Sequence, residues 1–123
     1  MQNKRKSDRR NVSLNVSFRK MKSNLISGSR IKDISETGIC IPLNLYFPIN
    51  SLLEVGIRLH EFKNFIKTTA RVVRISDRDN NSRYRYDVGL EFLDLPSEKR
   101  NLLRDYLHQS MTQEEYKATY SQT

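Results

Sequence analysis

Strict alternation of apolar and polar residues is the feature that most limits how this chain can fold. Apolar residues occupy every second position from Val12 to Phe18, and again from Leu53 to Leu59. Successive side chains of a strand point to opposite faces of a sheet, so this period of two predicts strands with one buried face. The chain is therefore predicted to be built mainly from β-structure.

Turn-rich stretches separate further apolar runs along the chain. Residues 23–29 and 77–82 are rich in residues that favour turns. A shift in apolar phase at Val72 and Val73 predicts a β-bulge that curves the sheet. Strands are predicted at residues 12–18, 30–34, 39–43, 53–59, 66–75 and 84–92. Strands at these spacings predict a six-stranded antiparallel β-barrel.

A helical pattern follows the last predicted strand. Ser97 is a suitable N-cap, and apolar residues then recur at helical spacing. A capping box, Thr112-x-x-Glu115, predicts a second, short helix near the end of the chain. The fold class is therefore predicted as all-β with a C-terminal helix. The apolar stripe of that helix comprises Leu102, Leu103, Tyr106, Leu107 and Met111.

The length of 123 residues suits a single domain that buries its own core without disulfides. The single cysteine, Cys40, lies between Ile39 and Ile41 and is predicted to be a buried free thiol in a reducing compartment. The sequence has no apolar run long enough to span a bilayer and no apolar stretch typical of a secretory signal. We therefore expect a cytoplasmic protein.

Positive charge is concentrated at the start of the chain. The formal net charge is +8: residues 1–32 carry ten Lys/Arg against one Asp, whereas residues 33–123 carry twelve Lys/Arg against thirteen Asp/Glu. A localised positive potential attracts anions, and the candidates are a nucleotide, nucleic acid or an anionic membrane. We divide the chain into a flexible basic segment over residues 1–11 and one folded domain over residues 12–123.

Two short motifs define a candidate binding site: Arg5-x-x-x-Arg9 and Asp33-x-Ser35-x-x-Gly38. The planar guanidinium forks of arginine suit a phosphate or the O6/N7 edge of guanine. A phosphate repels a carboxylate, but the N1–H and N2–H donors of guanine satisfy it, so Asp33 argues for a base as well as phosphates. Ser35 is expected to donate to a phosphate oxygen or to cap the loop. Gly38 is expected to permit positive φ and close backbone approach.

The order and spacing of these motifs, with the later runs Ala70-Arg-Val-Val-Arg-Ile75 and Val88-Gly-Leu-Glu-Phe-Leu93, resemble the PilZ-domain family of bacterial cyclic di-GMP receptors. The resemblance spans nearly the whole chain. It implies a standalone PilZ-like barrel in which the arginine segment wraps cyclic di-GMP against the barrel face that carries the second motif. The ligand-binding residues implied in this way are Arg5, Arg9, Asp33, Ser35 and Gly38, with Arg10 and Lys4 as auxiliaries.

The sequence also limits the classes of function and partner. No activated nucleophile, P-loop or catalytic carboxylate pair is evident, so we expect no catalytic residues and no enzyme activity. The spacing of Cys40, His60 and His108 fits no zinc site, and we expect neither a metal nor a cofactor besides the ligand cyclic di-GMP. The expected partners are cyclic di-GMP and an unidentified downstream protein. We expect no membrane insertion and no nucleic-acid partner.

Two alternatives stay open from the sequence alone. The same basic segment would also serve a small nucleic-acid-binding β-barrel, although no aromatic run is interleaved with its basic residues. The second alternative is a PilZ-like barrel that has lost its ligand and only docks to a partner protein. Within the first motif, Asp8 lies between the two arginines, where it can pair with one of them and weaken binding or shape the empty site.

Overall fold

A computed structural model describes residues 10–11, 14–59 and 64–120, with side chains over 14–59 and 65–108. Within these residues the strands form one antiparallel sheet, in the order β1-β4-β5-β8-β7-β6-β2-β3. The elements in chain order are β1 (Arg10–Asn11), β2 (Asn15–Lys20), β3 (Ser27–Arg30), β4 (Asp33–Ile34), β5 (Gly38–Leu43), β6 (Leu52–Leu59), β7 (Asn64–Asp77), β8 (Tyr86–Phe92) and α1 (Ser97–Tyr120).

The sheet curls because the chain changes strand partner at residues 31–32. β3 pairs with β2 at one edge of the sheet, whereas β4 pairs with β5 near the other edge. Between them, the amide of Ile31 donates to the carbonyl of Leu14 at 2.8 Å, and the amide of Lys32 donates to the carbonyl of Cys40 at 2.8 Å. These bonds draw the two edges together into a strongly curled, barrel-like sheet.

Aliphatic side chains from alternate strand positions fill the interior of the curled sheet. Ile39 and Ile41 of β5 and Ile57 of β6 are all 0% exposed. Full burial of such a side chain stabilises the fold by about 1.5 to 3 kcal/mol relative to leaving it in water. Helix α1 adds Leu103 and Leu107 to the same core, so it covers part of the barrel. Among the described residues, no helix has the length and apolar content needed to cross a bilayer.

The predicted bulge is present in β7. The register of β7 against β8 shifts between Val72 and Arg74. As a result, Val72 is fully buried while Val73, the next residue, is 44% exposed. A bulge of this kind increases the local twist of the strand, and here it also sets Arg74 opposite Gly89.

The fold class is confirmed, although the structure has more strands than the six predicted. The predicted strand at residues 30–34 is divided into β3 and β4 because the chain bends at residues 31–32. Part of the Ser- and Gly-rich stretch predicted as a turn forms β3, whose backbone pairs with β2 despite its low strand propensity. Residues 10–11 add the short strand β1.

The prediction of a second helix at Thr112 is wrong. Helix α1 runs without a break from Ser97 to Tyr120, so Thr112 lies inside it. A capping box needs an amide group without an intrahelical partner, and inside a continuing helix those amides already donate to the preceding turn. The predicted stripe is confirmed at Leu103 and Leu107, which are buried.

Candidate functional site

The loop between β4 and β5 is a tight turn organised by Ser35. The Ser35 amide donates to the Gly38 carbonyl at 2.9 Å. Its hydroxyl accepts from the Thr37 amide at 3.2 Å and lies 3.1 Å from the Thr37 hydroxyl. Because Ser35 is also 1% exposed, its hydroxyl is committed to the loop. Of the two roles expected from the sequence, this geometry fits the capping of the loop.

Gly38 is needed for close approach and not for its φ angle. No described glycine has a positive φ, so the expected positive φ at Gly38 is corrected. Gly38 pairs with Glu91 of β8, and a Cβ built on Gly38 would lie 2.1 Å from the carbonyl oxygen of Leu90. Any side chain at this position would therefore push β5 away from β8.

Asp33 belongs to a row of paired residues that crosses the sheet. Asn11 of β1 pairs with Asp33, Asp33 with Cys40, Cys40 with Gly89, and Gly89 with Arg74. Paired residues of antiparallel strands share a face of the sheet. Since the residues on either side of Cys40 fill the interior, this row lies on the outside of the barrel. We call Asp33, Cys40, Gly89 and Arg74 the outer row.

Small residues form the centre of the outer row. Gly89 has no side chain, and Cys40 is a free cysteine with 3% exposure, as the sequence predicted. Burial raises the pKa of the Cys40 thiol, and the nearby carboxylates of Asp33 and Asp87 raise it further. The thiol therefore stays protonated at neutral pH, so this small side chain places no charge between Asp33 and Arg74.

Arg74 lies at the other end of the outer row; it belongs to the run Ala70–Ile75 that carried the family resemblance but was not among the predicted ligand-binding residues. A Cβ built on Gly89 would lie 3.5 Å from Nη2 and 3.6 Å from Cζ of Arg74, so the guanidinium folds over the glycine. Arg74 is exposed, and no carboxylate in the described part of the chain forms an ion pair with it. The predicted bulge could have indicated this position. The extra residue that the bulge inserts between Val72 and Arg74 decides which face of the sheet the Arg74 side chain occupies.

Ion pairs flank the outer row. Asp87 accepts hydrogen bonds from Lys32, at 3.0 Å, and from Arg78. Glu91 pairs with Arg71 at 2.6 Å. Burial would raise the pKa of the Asp87 carboxyl, but the hydrogen bonds from Lys32 and Arg78 hold that pKa below its ordinary value. Because these two carboxylates have cationic partners, their repulsion of an anionic ligand is reduced.

The β4–β5 loop also contacts β8 and helix α1. The amide of Phe92, at the end of β8, donates to the carbonyl of Thr37 at 2.9 Å. The guanidinium of Arg104 in α1 donates to the carboxylate of Glu36 at 3.1 Å. The loop that carries the second motif is therefore held between the sheet and the helix.

The basic N-terminal segment reaches this site through β1. The backbone of Arg10 pairs with Ile34, and that of Asn11 pairs with Asp33. The structure thus brings the chain that follows the first motif to the edge of β4, beside the outer row. The predicted residues that lie outside the described part of the chain are Lys4, Arg5 and Arg9.

The fold and the outer row can be compared with known proteins. A family model described as the PilZ domain matches residues 3–109, a range that includes both motifs and the whole outer row. The chain therefore belongs to the PilZ domain family, as the resemblance of its motifs indicated. A comparison with curated proteins finds no match.

Three solved structures share the fold. The inhibitor of motility MotI/DgrA of Bacillus subtilis is 22% identical, with a TM-score of 0.75 over 90% of this chain and 53% of its own. YcgR of Escherichia coli, in complex with c-di-GMP, is 16% identical, with a TM-score of 0.75 over 94% and 50%. The K. pneumonia MrkH–c-di-GMP complex is 16% identical, with a TM-score of 0.78 over 94% and 56%. This chain spans about half the length of each.

Proposed function

We propose that this chain binds cyclic di-GMP on the outer row and acts as a second-messenger receptor. The observation that carries the proposal is the register that pairs Asn11 with Asp33. It brings the residues that follow Arg9 to one end of the outer row, while Arg74 lies at the other end. Membership of the PilZ family and the c-di-GMP present in the YcgR and MrkH structures support the same ligand.

A guanine base is the proposed occupant of the outer row. The carboxylate of Asp33 would accept from the N1–H and N2–H groups of the base. Gly89 and Cys40 add only small, uncharged groups between Asp33 and Arg74, so no bulky side chain from the middle of the row would block a planar ring. The guanidinium of Arg74, folded over Gly89, is the proposed stacking partner for that ring.

The phosphates are the proposed partners of the first motif. Arg5 and Arg9 would donate to them, with Arg10 and Lys4 as auxiliaries. Positions two apart in an extended chain share a face, so we expect Arg9, which is two residues before Asn11, to come nearer to Asp33 than Arg10 does. Each hydrogen bond between charged groups contributes about 1.5 to 3 kcal/mol.

Ser35 and Gly38 are proposed to support this site by fixing the shape of the chain around it. Ser35 shapes the turn that follows Asp33, and Gly38 fixes the approach of β5 to β8. In this proposal neither residue needs to touch the ligand in order to be required for binding. The motif would then specify the shape of the platform as well as one of its acceptors.

Ligand binding is proposed to order the part of the basic segment that precedes β1, residues 1–9, against the barrel. Ordering costs about 1 to 2 kcal/mol per residue in lost backbone freedom, which offsets much of the gain from the arginine contacts. The small net free energy makes the response reversible. The newly ordered segment would alter the surface that the chain presents to a downstream protein.

Isothermal titration of the full chain with cyclic di-GMP, GTP and a short oligonucleotide tests the proposal. We expect cyclic di-GMP to bind more tightly than either of the others. Preference for the oligonucleotide, with a steep dependence on salt, would instead identify a nucleic-acid-binding barrel. Binding of none of the three would contradict the proposal and favour a module that only docks to a protein.

A further inference from the structure

One end of the barrel has a concentration of exposed apolar side chains. β5 runs away from the β4–β5 loop and reaches this end at Leu43. Of the ten large apolar side chains with substantial exposure in the described part of the chain, six lie in residues 21–26 and 44–49. We call these two connections the loop end. The six side chains are Met21, Leu25, Ile26, Leu45, Tyr46 and Ile49.

The two connections of the loop end lie side by side. Leu25 from one and Leu45 from the other line the same cavity of about 170 Å³. Beneath them, Phe47 is 9% exposed and packs edge-on against Phe18 of β2, with ring centroids 6.2 Å apart. Leu25 and Leu45 therefore border one apolar cavity above an anchored aromatic pair.

Hydrogen bonds give these connections defined shapes. The amide of Leu25 donates to the Ser23 hydroxyl at 3.1 Å. The hydroxyl of Ser51 donates to the Pro48 carbonyl at 2.6 Å. On this frame Leu25 remains 80% exposed and Ile26 69% exposed, so both project from the barrel. Two adjacent, highly exposed aliphatic side chains on connections of defined shape are typical of an interaction surface.

The two connections of the loop end carry positive charge and no carboxylate, and the neighbouring carboxylate of Glu54, which lines one pocket with Ile26, is paired with Arg19 at 2.6 Å. Residues 19–32 and 37–53 contain no Asp or Glu, whereas Lys20 and Lys22 lie directly beside the apolar side chains. Lys22 adopts a φ of 70°, in the left-handed region that glycine and asparagine enter more readily. Lys22 therefore lies in a tight turn, at the point where the chain leaves β2 for the exposed residues Leu25 and Ile26.

We propose that the loop end docks onto the surface of an anionic phospholipid bilayer. Leu25 and Ile26 would enter the boundary between headgroups and acyl chains, while Lys20 and Lys22 meet the lipid phosphates. Tyr46 is 60% exposed and has the apolar ring and polar tip that suit this boundary. The contact is peripheral and requires no spanning segment.

The shape and charge of the loop end favour a bilayer over a protein partner. Its two most exposed side chains are neighbours in one connection and project outward, as an inserting tip does. The cavity between the connections, at about 170 Å³, leaves little room for an incoming protein segment. The surface also lies at the opposite end of β5 from the proposed nucleotide site, so this inference does not depend on cyclic di-GMP binding.

Vesicle sedimentation with the full chain tests the inference. We expect binding to vesicles of phosphatidylcholine mixed with phosphatidylglycerol, and little binding to phosphatidylcholine alone. Replacing Leu25 and Ile26 with Ser should weaken partitioning at least about tenfold, since two apolar side chains no longer leave water. Leu93→Ser is the matched control, because Leu93 is 41% exposed outside the loop end and should leave partitioning unchanged.

Lys22→Asn separates a role in lipid binding from a role in folding. Loss of one lysine near an anionic surface should weaken partitioning about fivefold. Because asparagine adopts the left-handed region more readily than lysine, the melting temperature should stay the same or rise. A fall in melting temperature with unchanged partitioning would overturn the proposed role of Lys22.

A fluorescent tryptophan at position 25 measures directly whether this part of the loop end enters the bilayer. The chain has no tryptophan, so Leu25→Trp introduces a single one. Its emission should shift to the blue on anionic vesicles, and that of Leu93→Trp should not. The proposal is overturned if the chain ignores anionic vesicles, or if it binds them equally well after the Leu25 and Ile26 substitutions, as it would through its N-terminal basic segment alone.

Discussion

Gly38 and Leu90 lie so close together that β5 has no room for a side chain at position 38. A Cβ there would be 2.1 Å from the carbonyl oxygen of Leu90. The contact fixes the spacing of β5 and β8, which carry Cys40 and Gly89 at the centre of the outer row. The last residue of the second motif therefore sets the geometry of the proposed ligand platform.

Gly38→Ala should destabilise the fold by about 1 to 3 kcal/mol, since the added methyl group meets backbone that can move only if the strands separate. Urea unfolding followed by circular dichroism measures the change. Gly28→Ala is the matched control, because a Cβ on Gly28 would meet its nearest neighbour, the Val16 carbonyl oxygen, at an ordinary 3.7 Å. Equal effects of the two substitutions would show that the contact with Leu90 is unimportant.

Asp87 should make the stability of the fold depend on pH in the acid range. Its pKa is lowered in the folded state because the hydrogen bonds from Lys32 and Arg78 outweigh the effect of burial. The contribution of Asp87 is therefore complete above the ordinary aspartate pKa of about 3.9, and it is lost as the pH falls through the lower folded value.

Asp87→Asn should flatten this acid dependence in thermal unfolding measured between neutral and acid pH. Asp94 is exposed and serves as the control, since Asp94→Asn removes the same charge away from Lys32 and Arg78. An unchanged acid dependence in Asp87→Asn would show that the pairing contributes nothing to stability.

Arg74→Ala should weaken cyclic di-GMP binding about tenfold or more, because stacking on a base contributes about 1 to 3 kcal/mol. Calorimetric titration measures the loss. Arg83→Ala removes the same charge from an exposed position in the connection between β7 and β8, and it should have little effect. If both variants lose affinity equally, Arg74 contributes to binding through net charge and not through stacking on the base.

Arg9→Ala should also weaken cyclic di-GMP binding at least about tenfold, through loss of a forked contact with phosphate. Arg10→Ala changes the neighbouring residue by the same charge, and we expect a smaller loss because the register favours Arg9 on the face of Asp33. A larger loss in Arg10→Ala would reverse the assignment of the two arginines.

Local periodicity made much of this fold predictable. The strands with buried alternate residues, such as Val55 and Ile57 of β6, were correctly placed because burial on one face imposes a period of two. Residues 27–29 of β3 were missed because Ser and Gly carry no such period, and the pairing of β3 with β2 is a tertiary effect. The change of partner at residues 31–32 depends on contacts with Leu14 and Cys40 that no local pattern contains.

The candidate site could be predicted from the sequence only in part. The spacing of Asp33, Ser35 and Gly38 predicted a loop between two strands, which the structure contains, but the sequence could not distinguish a ligand contact at Ser35 from a loop cap. The sequence predicted a close backbone approach at Gly38, but it could not show that the neighbouring backbone is that of Leu90. Arg74 was missed because its place opposite Gly89 follows from the register of two strands after a bulge.

The four glycines allow the most direct test of the central claim, that cyclic di-GMP binds on the outer row. Gly38 and Gly89 lie in or beside that row, whereas Gly28 and Gly56 lie on β3 and β6, away from it. In a nuclear magnetic resonance titration with cyclic di-GMP, the amide signals of Gly38 and Gly89 should shift and those of Gly28 and Gly56 should stay nearly in place. Saturable binding that moves Gly28 and Gly56 while leaving Gly38 and Gly89 unchanged would contradict the account.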